Sequence, residues 1–206
     1  MKKALLSFLV ILLFTFVGYG SGVQTSSSKD NPTVTANVKI EINLEKQTTK
    51  WYFDKDVDVM TDKVNFWYAA SPMVKPLESV AIPYKNIAAA VFVRYDNKQL
   101  VAGIAFNMYP PLFGGSTNDK SDDGVYFVTK IRWDNKQPEE VKFFMPLLSK
   151  YILFDSKVTK DVINKLMTHN TLIVEFDWLL WGVKHFKFPL DGAKEVISEL
   201  LKQVKN

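Results

Sequence analysis

The sequence predicts a mainly β, α+β fold, built as an antiparallel β-sandwich or a single curved sheet with one short helix and a C-terminal amphipathic helix. Three observations lead there. Residues 34–44 alternate strictly, with Val34, Ala36, Val38, Ile40, Ile42 and Leu44 on one side and Thr35, Asn37, Lys39, Glu41 and Asn43 on the other. Period two over that length is the pattern of a strand with one buried face. Many further short runs rich in Val, Ile, Phe, Trp and Tyr follow, with no long helices between them to carry parallel crossovers. Only two stretches show the helical period.

Taken in order, the strands after the first fall at 50–53, 64–71, 79–82, 88–95, 100–107, 125–133, 140–144, 171–177 and 183–188. Turn pairs such as Asp96-Asn97 and Asp134-Asn135 punctuate them. The first helix is expected over 160–169, where Val162, Ile163, Leu166 and Met167 share a side, with Thr159 as N-cap and Asn170 as a left-handed terminator. Near the C-terminus Leu190, Ala193, Val196, Ile197, Leu200, Leu201 and Val204 recur at i, i+3 and i+4. Lys194, Glu195, Ser198, Glu199 and Lys202 take the opposite face, and Asp191 precedes the helix near its positive end. This helix is expected to pack on the sheet.

Met1-Lys2-Lys3, the apolar run to Tyr19 and the small residues Gly18, Gly20 and Gly22 read as a secretory signal peptide over 1–22. Residues 23–33 are a polar linker and 34–206 a single β-rich exported domain, periplasmic or secreted. The apolar run is too short and too interrupted, by Ser7 and Thr15, to be retained as a membrane anchor. The chain has no cysteine, so it lacks both disulfides and the lipid-attachment residue of a bacterial lipoprotein. A mature chain of about 180 residues buries enough surface to fold without such staples. Its 26 Lys+Arg against 22 Asp+Glu are scattered rather than clustered, which argues against nucleic acid as a partner.

Trp51, then Asp56-Val57-Asp58-Val59-Met60-Thr61-Asp62-Lys63, then Ile131-Arg132-Trp133-Asp134-Asn135-Lys136-Gln137-Pro138, then Phe154 and Leu172-Ile173-Val174-Glu175, follow a familiar order. The ending Phe186-Lys187-Phe188-Pro189-Leu190-Asp191-Gly192-Ala193 completes it. From about Lys50 to Val204 the chain resembles a widespread bacterial exported or periplasmic domain, distantly similar to periplasmic proteins associated with type VI secretion. The resemblance implies location and fold; most such domains have no assigned activity, and the cysteine pair of some is absent here.

Chemistry is sparse. The two histidines read as structural: His169 in the last turn of the first helix, where a cation favours the helix dipole, and His185 as a half-exposed sheet residue. Neither has a zinc-type spacing to another ligand, no Gly-x-Ser-x-Gly elbow supports a nucleophile, and no phosphate loop is present. Asp119, Ser121, Asp123 and Gly124 imitate half a calcium loop, but Lys130 stands where the bidentate Glu belongs. Asp54, Asp56, Asp58 and Asp62 form a second acidic set without the central Gly, so no metal and no cofactor is expected. Two segments place large apolar side chains outside the clean strand patterns: Tyr109, Leu112 and Phe113 in a long irregular loop, and Trp178 and Trp181 at a hairpin tip. These five are the candidate binding residues, with core packing as the alternative for each. The expected function is an exported cell-envelope binding or accessory protein without catalytic activity, whose partner is an envelope protein or ligand and which does not stay inserted in the membrane. A hydrolase with a carboxylate-based site around the acidic loops is the competing class.

Overall fold

Short apolar strands joined by tight turns pair with their chain neighbours, and here every pairing is antiparallel. A computed structural model describes residues 48–96, 99–111 and 119–204. The signal at 1–22, the linker at 23–33, the strand expected at 34–44, and Leu112 and Phe113 lie outside the described residues. In chain order the elements are β1 (Tyr52–Val57), β2 (Val64–Ala70), β3 (Ala89–Asp96), β4 (Gln99–Phe106), β5 (Asp119–Ser121), β6 (Gly124–Trp133), β7 (Glu139–Pro146), β8 (Tyr151–Phe154), α1 (Thr159–Thr168), β9 (Thr171–Trp178), β10 (Gly182–Pro189) and α2 (Ala193–Gln203). Strands hydrogen-bond in the order β1-β2-β3-β4-β8-β7-β6-β9-β10, with the short β5 on β6. This is one continuous sheet, the curved of the two arrangements expected.

The curl can be measured from its aromatic contacts. β4 and β10 stand five steps apart in the order, which on a flat sheet is about 24 Å at 4.8 Å per strand. Yet the Phe106 ring of β4 lies 5.7 Å from Phe176 of β9 and 5.6 Å from Phe186 of β10. The sheet therefore bends into a half-barrel whose inner side chains meet across the hollow. α1 packs against β4, and α2 crosses β1, β2 and β3, burying Ala193, Ile197 and Leu200. The first residues before β1 reach the far edge, where the Trp51 indole N–H donates to the Pro189 carbonyl at 2.8 Å. A second buried cluster, Phe66, Tyr68, Ala70, Phe92, Ala105, Phe144 and Leu153, occupies the opposite face of the same sheet.

Several expectations change. Residues 79–82 are not a strand; they belong to a strap, 71–88, in which Pro72, Pro76 and Pro83 remove the donors a central ladder needs. The strap docks by Leu77 N–H to His185 C=O at 2.8 Å and by single bridges from Val74 to Ala89 and Pro76 to Phe186. β8 was not anticipated. Its Tyr-Ile-Leu-Phe run shows no alternation because it sits between β4 and β7 with both faces covered. Thr159 does not cap α1: the N-cap is Val158, and the Thr159 hydroxyl donates back to Asp155 C=O at 3.2 Å. Asn170 is not left-handed either, because the Asp134 carboxylate accepts the N–H groups of Asn170 and Thr171, both at 2.8 Å, and carries the chain straight into β9. Burial alone would raise the Asp134 carboxyl, but these two bonds, with the Thr171 hydroxyl, hold it below its usual range.

Gly103 of β4 sits opposite Phe92 of β3, and a methyl group there would lie 2.9 Å from the Phe92 ring and still closer to the Ile152 carbonyl of β8. A strand interior normally disfavours glycine, so this one exists for close approach. Gly103→Ala should lower stability by about 1–3 kcal/mol through overpacking against backbone, and chemical denaturation of the two proteins checks it.

Candidate functional site

Period two turns Lys130 and Arg132 of β6, Ile173 and Glu175 of β9, and His185 of β10 outward, while Ile131, Trp133, Leu172, Val174, Phe176 and Phe186 fill the hollow. Register then assembles a row. Arg132 pairs with Ile173, and Glu175 pairs with His185. The strap supplies the far side: the Glu78 carboxylate accepts His185 N–H at 2.8 Å and approaches His185 Nδ1 at 2.6 Å. On the other side, His185 Nε2 lies 3.4 Å from Glu175 Oε2. Pro138, after β6, and Leu77 of the strap wall a cavity of about 190 Å³ over this row.

The site's electrostatics follow from these contacts. Burial alone would raise Glu78, but the hydrogen bonds from the backbone and ring of His185 win and hold its carboxyl below the usual range. An ionised Glu78 only accepts, so Nδ1 of His185 carries the proton. Nε2 then faces Glu175. Lys130 and Arg132 make no ion pair among the described residues. No serine or cysteine lines the cavity, and the nearby Thr129 hydroxyl is spent on the Glu175 carbonyl at 2.6 Å. The cavity lining suits binding and offers no hydroxyl or thiol nucleophile.

The other histidine is a joint. His169 ends α1, with Nδ1 3.1 Å from Lys165 C=O and Nε2 3.0 Å from Lys136 Nζ. The acidic loops serve their own turns. Asp58 Oδ1 accepts Met60 N–H and Thr61 N–H at 2.9 and 2.8 Å, Asp56 accepts from Asn65 at 2.7 Å, and Asp119 opens β5. Bonds from the Thr61 hydroxyl and backbone keep Asp58 below its usual range. Among the described residues, no three His, Asp or Glu side chains come together to hold a metal ion.

Of the five sequence-derived binding residues, three can be placed. Tyr109 is exposed, with Lys150 Nζ 5.5 Å from its ring centre. Trp178 is a correction: at 1% exposure it is core, packed edge-on against Tyr84 and tilted on Phe186, because it continues the inward series Leu172, Val174, Phe176. Trp181 is half-buried, 5.2 Å from Tyr84. The exposed side chains of that hairpin are instead Leu179 and Leu180, the latter 85% exposed at φ 66°. The structure joins the two candidate segments, since Leu179 N–H donates to Pro111 C=O at 3.2 Å. Lys150 brings in the turn between β7 and β8, where Leu147 and Leu148 are exposed and Leu148 has φ 52°. Tyr109, Leu147, Leu148, Leu179 and Leu180 are the exposed apolar side chains of these three linked segments, together called the apolar rim. Only consecutive leucines between strands could have signalled the added residues, and such pairs normally read as core.

Comparison of the chain with protein-family models, with curated proteins and with solved structures finds no match.

The strap's attachment carries a pH signature. A carboxyl held low stabilises the fold above its unfolded value near 4.5 and loses that contribution as pH falls through the lower folded value. In urea unfolding from pH 7 to pH 3, roughly the carboxylate range, Glu78→Gln should be less stable than the parent near neutrality. The gap should close at the acid end; a constant gap would contradict the role given to Glu78.

Proposed function

We propose that this is an exported cell-envelope protein that works by binding a partner protein rather than by catalysis, and that the apolar rim is its contact surface. The observation that carries the reading is the hydrogen bond from Leu179 to Pro111, which turns two separate loops into one patch. Backbone conformation adds support. A leucine in the left-handed region costs roughly 1 kcal/mol that glycine or asparagine avoids, and the two most exposed rim leucines, Leu148 and Leu180, both adopt it. Side chains that are strained, apolar and open to water lower stability, so their use lies outside the folded chain. The leader-like start and the resemblance to exported envelope domains support a periplasmic or secreted location and an envelope protein as the partner.

Aliphatic and aromatic anchors set the energetic centre of such an interface. Leu148→Asn and Leu180→Asn should each leave the fold intact or raise its stability by about 0.5–1 kcal/mol, since Asn tolerates the left-handed region. Together they should weaken capture of an envelope protein by roughly 2 kcal/mol. Thermal melts and cross-linking from a photoreactive group at position 179 read the two effects separately. Unchanged capture by the double variant would remove the rim from the account.

A further inference from the structure

We propose that the cavity on the outer face of β6, β9 and β10 is a binding site for a small zwitterion of α-amino-acid size, with its carboxylate on Arg132 and Lys130 and its ammonium on Glu175. The site is separate from the rim and does not depend on it. Lys130 and Arg132 lie two residues apart on one face of β6, about 6.6 Å along the strand, and both line the cavity. Neither makes an ion pair among the described residues. Lys130 is in register with Glu140 of β7 and lies one step beyond the paired Ile131 and Val174, toward Glu175, yet it closes an ion pair with neither carboxylate. Both cations thus keep donors free for a ligand carboxylate in the cavity, although carboxylates stand on the neighbouring strands.

The opposite pole is held differently. Glu78 commits both oxygens to His185, one to the backbone N–H and one to the ring. Glu175 commits only Oε2, at 3.4 Å from Nε2, and keeps its other oxygen to accept from a ligand ammonium. Glu78 is thus occupied by His185 and does not compete for the ligand. Between the poles the lining is apolar, from Ile173, Leu77 and Pro138. The cavity, about 190 Å³ and open on one side to solvent, has room for a molecule with one carboxylate, one ammonium and a small side chain. Adjacent strands about 4.8 Å apart put the two poles within the span of such a molecule.

The test is a backbone-amide NMR titration of the mature protein with each of the common α-amino acids at millimolar concentration. The tightest ligand is then compared with its N-acetyl and C-amide forms. Saturable shifts centred on residues 130–132, 173–175 and 185 are expected, and blocking either end should weaken binding by about tenfold or more. Arg132→Gln should weaken the free and N-acetyl forms alike, whereas Glu175→Gln should weaken the free form and leave the N-acetyl form unaffected. Lys130→Gln repeats the first test at a second exposed position, and melting curves confirm that each variant is folded. No saturable shift with any amino acid, or affinity indifferent to acetylation and amidation, would overturn the proposal.

Discussion

The contact of Phe106 with Phe176 and Phe186 across the hollow of the sheet is the constraint on which the rest depends. A sheet of this many strands cannot stay flat and bury its inner face, because a flat sheet leaves β4 and β10 too far apart for any side chain to bridge. Bending brings the two halves of the inner face together, and large aromatic side chains are what can span the gap. Phe188 stacks behind Phe186, and Trp178 tilts against it, so the inward side chains of β10 and the last of β9 continue the same cluster. Once the sheet is curled, the edge preceding β1 lies near the end of β10, and the Trp51 indole can donate to Pro189. α2 then follows directly from β10 across the open side.

Both proposed surfaces are consequences of that curl. Convex bending exposes the outward residues of β6, β9 and β10 and leaves β10 with a free edge, which the strap covers through Leu77 and Glu78. The cavity exists because a strap rather than another strand takes that edge: it supplies Leu77 to the lining and leaves room over Glu175 and Arg132. The rim arises where the hairpin between β9 and β10 is carried round to meet the segment after β4. Tyr84 of the strap packs against both Trp178 and Trp181, so strap and hairpin are locked together. The strap is therefore common to the two surfaces without being part of the rim.

Much of this was legible in the sequence, for a physical reason: half-buried strands print period two, and helices with one buried side print their own period. β2, β3, β4, β6, β7, β9 and β10 fall close to where alternation places them. β8 was hidden because burial on both faces erases alternation, and 79–82 misled because apolar residues in a proline-bounded strap resemble a short edge strand. Extending the series Leu172, Val174, Phe176 by one more step would have put Trp178 in the core, and the loss of register after it marks Leu179 and Leu180 as exposed. The partners of His185 were out of reach. Glu78 lies 107 residues away in sequence, and neither its spacing nor its composition announces the contact.

The most direct test of the account is a double-mutant cycle on Phe106→Leu and Phe186→Leu, measured by chemical denaturation. These residues are five strands apart in the hydrogen-bonded order, so only curling makes them neighbours. Ring pairs in contact couple by about 0.5–1.5 kcal/mol beyond the area they bury, and the account predicts a coupling energy in that range. Additive losses, agreeing within about 0.3 kcal/mol as for residues that do not touch, would contradict the curled sheet and the surfaces derived from it.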